Sequence, residues 1–263
     1  MRYSAFFEQF KRSHELPSFV QKLREKTALW VLQKTQRITH RLPIRLVEPV
    51  PSRLLVVAPH MDDEVIAAGG TLARHREIGS KVHIVFCAAG KTDTEDRTRK
   101  AESVAVSEFM GFDSIRWLDL PDGYLSHHEQ ELATKLADII TELNPEQIFC
   151  PFVTDHHRDH MATTVALGAA VGQTSWRGQL WCYECWSPHW PNTAIDISGV
   201  VATKRASIEL YKSQVEGLHY ADGALGLNRY RGLRVARDYA ETFFVADTAR
   251  FKALVDTMNE FGG

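Results

Sequence analysis

"RLLVVAPHMDDEVIAAGG", residues 53–70, is the stretch that decides the fold. It opens on a short apolar run, Leu54–Ala58, of the kind that forms a buried strand. Directly behind that run stand an imidazole and three carboxylates: His60, Asp62, Asp63 and Glu64. Residues 64–79 then read as a helix that stops at Gly79. A strand passing through a polar turn into a helix is the opening of an α/β unit.

The same alternation continues down the chain. "KVHIVFCAAG" (81–90) reads as a second strand, and residues 94–111 as a helix ending at Gly111. "SIRWLDLP" (114–121) is a third strand, followed by a helix over 128–143 with Pro145 just past its end. "EQIFCPF" (146–152) is a fourth strand, residues 157–172 are helical, and "QLWCYECW" (179–186) is a fifth strand. This pattern predicts an α/β fold: a mainly parallel sheet with helices on both faces and right-handed crossovers. The polar cluster then falls at the carboxyl end of the first strand, where ligands bind in open α/β sheets. A Gly-rich dinucleotide fingerprint is absent from that turn. Gly69 and Gly70 come later, inside the helix, where they read as permitting close helix–sheet contact.

The bulk numbers fit this reading. A chain of 263 residues can bury a large core, and 44% hydrophobic with 24% charged residues is ordinary globular composition. A formal charge of −2 points neither to nucleic-acid wrapping nor to a funnel for acidic substrates. The four cysteines, Cys87, Cys150, Cys182 and Cys185, are too few for a disulfide scaffold, which fits a reducing compartment. Cys182 and Cys185 make a C-x-x-C without a second pair; they read as strand residues in a core, with a redox role as the lesser alternative. No apolar run is long enough to span a bilayer, and the start lacks the h-region of a secretion signal, so the expected location is the cytoplasm.

Residues 1–50 differ in charge from the rest, with ten Lys or Arg against four Glu and no Asp. Phe19, Val20, Leu23, Trp30 and Val31 recur at helical spacing, which predicts a basic amphipathic helical extension ahead of one domain at 51–263. Packing on the main domain is the favoured reading; an interfacial helix resting on anionic lipid is the alternative. The pattern specifies no oligomeric state.

The chemistry lies in two clusters. His60 and Asp63 are ligands suited to zinc or a similar divalent ion. Asp62 and Asp63 are adjacent, so their side chains diverge, and one can bind metal while the other faces an activated water. A helix cap by Asp62 or Asp63 would explain one carboxylate, but not His60 beside three acids. The second cluster is "FVTDHHRDHMATTVAL" (152–167). There His157 and His160 share a helix face, with Cβ atoms about 5–6 Å apart. Asp155 fits the helix N-cap, Asp159 can orient an imidazole, and His156 suits the surface. Together the clusters supply three protein ligands, the number found at catalytic zinc, and imply hydrolysis of an amide or ester.

"PHMDDE" (59–64) and "HRDH" (157–160) together resemble the PIG-L/LmbE-like family of zinc-dependent N-acetylglucosaminyl deacetylases, whose signatures are A-H-P-D-D-E and H-x-D-H. Met61 stands where that family has proline, which alters loop stiffness and removes no ligand. The resemblance implies a Rossmann-like fold and Zn2+, or another divalent transition metal, held by His60, Asp63 and His160. It implies Asp62 as general base, and His157, oriented by Asp159, as oxyanion stabiliser. Glu64 would support the site. "RKAE" (99–102) and "WLDLPDGYL" (117–125) resemble further family segments, giving Arg99 and Asp122 as substrate contacts; a helix-surface ion pair is the alternative for Arg99. "KRASIELYKSQ" (204–214) and "YAETFFVA" (239–246) resemble a late helix, expected mainly to pack, and a closing strand. The implied partner is an N-acetylated amino-sugar conjugate, with no nucleic acid and, through residues 1–50, peripheral membrane contact as an option. An amidase for a larger acyl group and a non-catalytic sugar-binding scaffold are the competing readings.

Overall fold

Every residue of Leu54–Ala58 is fully buried, because the strand that carries it lies inside the sheet. The structure is a computed structural model that describes residues 43–215 and 217–261 together with Lys26. Of the basic helical extension expected over residues 1–50, all of 1–42 except Lys26 lies outside the described residues, and the membrane contact expected of it with them.

Residues Ile44–Gly263 form one unit built on an eight-stranded sheet. The strands are β1 (Arg45–Leu46), β2 (Arg53–Ala58), β3 (Lys81–Ala88), β4 (Ser114–Leu120), β5 (Gln147–Pro151), β6 (Gln179–Tyr183), β7 (Thr193–Asp196) and β8 (Ala240–Asp247). The helices are α1 (Asp63–Glu77), α2 (Asp93–Met110), α3 (Glu129–Leu143), α4 (Arg158–Gln173), α5 (Val201–Glu209), α6 (Lys212–Val215), α7 (Tyr220–Leu233) and α8 (Thr248–Phe261).

Spatial order is β1-β7-β8-β6-β5-β2-β3-β4. All neighbours pair in parallel except β8, which is antiparallel to both β6 and β7. From β2 the chain steps outward through β3 to β4, then returns to place β5 on the other side of β2, with Leu54 opposite Gln147. The strand order therefore reverses between β2 and β5. At such a switch point the loops diverge to opposite faces and leave a crevice at the strand ends.

Alternate residues of β2 feed two cores. Leu54, Val56 and Ala58 pack with α1 and α5 residues such as Leu72 and Ile208. Leu55 and Val57 pack on the other face with Leu136 of α3, Leu167 of α4 and Phe251 and Val255 of α8. That two-sided burial is why these strands read as unbroken apolar runs. Helix ends follow local chemistry: Thr92 Oγ1 accepts the Glu95 N–H at the start of α2, and Gly111 closes it at φ 69°. Gly70 of α1 faces Ile197 so closely that an added Cβ would lie 2.8 Å from its side chain.

Three features depart from the sequence reading. β1 pairs with β7 inside residues 44–50, so the sheet-bearing unit starts ahead of residue 51. β7 is a four-residue strand whose pairing comes from β8, not from local pattern. β6 ends at Tyr183, which leaves Cys185 on the loop beyond it, off the strand on which it was expected.

Candidate metal centre

The crevice between β2 and β5 receives both polar clusters. The turn after β2 brings His60, Asp62 and Asp63 to the mouth of α1, and the turn after β5 brings Asp155, His157, Asp159 and His160 to the start of α4. They meet on one carboxylate. Asp63 Oδ2 lies 3.3 Å from His60 Nδ1 and 3.1 Å from His160 Nε2. It also accepts the His60 backbone N–H at 2.9 Å, which closes the turn. His160 is fully buried, and among the described residues its Nε2 has no hydrogen-bond partner. A buried ring nitrogen aimed at a carboxylate without a hydrogen bond is an orphan that a cation would satisfy. Ring nitrogens of His60, His157 and His160 lie within 4.8 Å of one another. Of these, the nitrogens of His60 and His160 together with Asp63 Oδ2 make a borderline nitrogen and oxygen donor set that suits zinc and its neighbours in the transition series.

The electrostatics agree with a cation site. Asp62, Asp63, Asp122, Asp155 and Asp159 surround two imidazoles, with Lys91 and Arg99 as cations on the Asp122 side. Burial works against charge on His160, yet the Asp63 and Asp155 carboxylates push it up to about 9. His60 is likewise raised well above its ordinary value: hydrogen bonds to Asp122, Asp159 and Asp63 outweigh the cost of burial. Burial would raise Asp63, but the positive charge of His160, with the nearby His60 ring, holds it well below the usual carboxylate range. Protons are thus drawn to the place where a divalent ion would sit, and binding such an ion displaces them.

Asp62 is the N-cap residue of α1, but its side chain makes no capping bond, so the helix cap weighed as the alternative does not account for its carboxylate. Its backbone sits at φ 139°, ψ −25°, a region an L-residue occupies only at a cost. Burial, then the neighbouring Asp63 charge, raises its carboxyl well above the ordinary value. Among the described residues no hydrogen bond holds that carboxylate. Glu64 is buried beneath, accepting from Tyr211 Oη at 2.6 Å and from the Asp62 N–H at 3.2 Å; burial pushes it up to about 8.

The second cluster differs from expectation in its partners. Asp155 does not cap α4; the cap is His157, whose Nδ1 accepts the Asp159 N–H at 3.3 Å. An Nδ1 that accepts places the proton of the neutral ring on Nε2. Burial, then the charges of His60 and His160, lowers the His157 pKa and favours that neutral form. The Asp159 carboxylate does not orient His157. It is 3.1 Å from His60 Nε2 and accepts the N–H groups of Gly123 and Leu125, which turn it toward the β4 loop. The residue that orients an imidazole is Asp155, whose Oδ2 is 3.2 Å from His160 Nδ1. His156 is exposed, as expected.

Asp122 joins the site, with Oδ1 3.5 Å from His60 Nε2. Burial would raise it, but His60, Lys91 and Arg99 keep it below its ordinary value. Arg99 makes the helix-surface pair, 2.5 Å to Glu95, and also reaches within 4.0 Å of Asp122 with its Nε unpartnered. Sequence reasoning missed Asp155 as an orienting group, Tyr211 as the partner of Glu64, and Cys185, whose Sγ lies 3.1 Å from Asp63 Oδ1. The Tyr211 signal was present in the "YKSQ" segment; the other two depend on which loops meet.

A family model described as PIG-L, GlcNAc-PI de-N-acetylase, matches residues 55–171. A probable N-acetyl-alpha-D-glucosaminyl L-malate deacetylase of Bacillus cereus is 33% identical over 135 residues, 46% of this chain. That alignment covers 61% of the relative's length, less than two thirds. The crystal structure of a conserved Thermus thermophilus protein superposes with a TM-score of 0.66 at 31% identity, over 73% of this chain and 93% of that one. A 4-oxalmesaconate hydratase of Pseudomonas putida is 27% identical over 190 residues, 61% of this chain and 73% of its own length.

Proposed function

The chain belongs to the PIG-L family, and from that premise we propose that it is a metal-dependent hydrolase that removes the acetyl group from an N-acetylglucosamine-type sugar conjugate. The observation that carries this reading is the convergence of the His60 and His160 imidazoles on Asp63 Oδ2, with His160 Nε2 buried and without a hydrogen-bond partner among the described residues. These three residues would hold the cation, and zinc is the ion that their donor atoms suit best.

When bound there, a divalent cation polarises the acyl oxygen and lowers the pKa of a coordinated water to about 7. Asp62, whose carboxyl is raised in pKa and has no hydrogen bond among the described residues, takes the proton of the attacking water and returns it to the leaving nitrogen. His157 presents Nε2–H to the developing oxyanion, because Nδ1 is committed to the Asp159 N–H. Water oxygen joins the acyl carbon, the carbon–nitrogen bond breaks, and acetate and a free amine leave. Asp122 and Arg99 line the same mouth and would take sugar hydroxyls or an anionic group of the conjugate. Four free cysteines suit a reducing cytoplasm as the place of reaction. Among the described residues no helix is long and apolar enough to cross a membrane.

The test is a screen of N-acetylglucosaminyl conjugates with metal-reconstituted protein, read as new primary amine together with released acid. Equimolar acetate and amine support the proposal. Release of a longer acid from N-acyl analogues, with none from the acetyl compounds, would make it a larger-acyl amidase. The kinship to a hydratase gives a further arm: hydration of an unsaturated carboxylic acid with no amine released from any amide would overturn the deacetylase reading.

A further inference from the structure

Cys185 stands two residues beyond β6, at the edge of the crevice. Its Sγ is 3.1 Å from Asp63 Oδ1, while the other oxygen of that carboxylate is 3.1 Å from His160 Nε2. The donor atoms of Asp63, His160 and Cys185 all lie within 4.8 Å of one another. Ligands about 2.0–2.3 Å from a common cation occupy a space of that size. The independent sign of a ligand is His160 Nε2, buried, unpartnered and aimed into this group.

The backbone on both sides of the thiol is tied down. Glu184 accepts from Arg231, from Thr242 Oγ1 at 2.5 Å and from the His189 N–H at 2.9 Å. The Trp186 N–H donates to Asp155 Oδ2 at 3.2 Å, the same oxygen that faces His160 Nδ1. One carboxylate therefore fixes both the imidazole and the loop that carries the thiol. A donor held by rigid neighbours loses little freedom on binding a cation.

We propose that Cys185 is a fourth protein donor to the cation held by His60, Asp63 and His160. The inference rests on the metal reading given above. The thiol proton passes to solvent as the sulfur–metal bond forms, and no electron is transferred. A thiolate is a soft ligand, so it biases the centre toward zinc and cadmium over magnesium and manganese. A water still has room, since catalytic zinc can become five-coordinate.

Two measurements on the full chain test this. X-ray absorption of the zinc-loaded protein is expected to show one sulfur at about 2.3 Å, beside nitrogen and oxygen at about 2.0–2.2 Å. A shell of nitrogen and oxygen alone overturns the inference. The cobalt-loaded protein is expected to show a near-ultraviolet sulfur-to-metal charge-transfer band, lost in Cys185→Ser while one cobalt per chain remains. One bound cobalt without that band removes Cys185 and leaves the metal reading standing; no bound cobalt in the parent chain removes both. If Cys185→Ser fails to fold, the absorption measurement on the parent protein decides alone.

Discussion

Asp155 Oδ2 lies 3.2 Å from His160 Nδ1, and that contact turns His160 Nε2 toward Asp63. Carboxylates behind a ligating imidazole fix its tautomer and raise its basicity. Asp155→Ala should therefore weaken zinc binding about 10–100-fold, although Asp155 is not placed among the ligands. Competition with a chromogenic chelator measures this, and an unchanged affinity would show that His160 is held by other means.

Asp62 combines a functional carboxylate with a backbone conformation suited to glycine. Asp62→Gly and Asp62→Ala should both lose turnover by about 10²–10⁴-fold while still binding the cation. They should differ in stability, with glycine more stable than alanine by about 1 kcal/mol, because only glycine relaxes at φ 139°. Urea denaturation of the two variants checks this; equal midpoints would show that the conformation carries no strain.

The adjacent glycines of α1 should respond oppositely to the same change. Gly70→Ala places a Cβ 2.8 Å from Ile197 and should cost about 1–3 kcal/mol. Gly69→Ala meets its nearest neighbours, Lys204 and Val65, at 3.4 Å, and should be neutral or gain up to about 1 kcal/mol of helix stability. Thermal melts of both variants suffice, and a tolerated Gly70→Ala would mean that the helix can slide on the sheet.

His75 should make stability fall with acid. It is buried, with Nδ1 2.9 Å from Ser80 Oγ and Nε2 unpartnered. Burial, then the Arg74 charge, lowers its pKa from 6.5 to about 4. The unfolded chain therefore binds a proton that the native chain refuses. The contribution is whole above pH 6.5 and disappears as pH falls toward 4, an effect of about 3 kcal/mol. Denaturation midpoints between pH 7 and 4.5 should fall less steeply in His75→Asn than in the parent. Parallel pH profiles would mean that His75 is protonated in the native state.

Much of this molecule is legible in the chain. The parallel strands β2, β3, β5 and β6 are largely buried on both faces, so each appears as a continuous apolar run whose boundary a local reading can find. β1 and β7 were not legible. They are two and four residues long; β1 pairs only with β7, and β7 with distant β8, which no local pattern reports. The antiparallel direction of β8 is hidden for the same reason.

The sequence by itself determined the donor atoms and their placement at strand ends, since apolar runs and the polar turns behind them are local facts. Only the tertiary structure decided that β5 returns to lie beside β2, and hence that His60, Asp63 and His160 share one space. It also decided which carboxylate serves which imidazole: Asp155 for His160, and Asp159 for His60. The physical reason is reach. A side chain selects partners within a few ångströms, and residues 97 positions apart come within that range only after long-range strand pairing closes the chain between them.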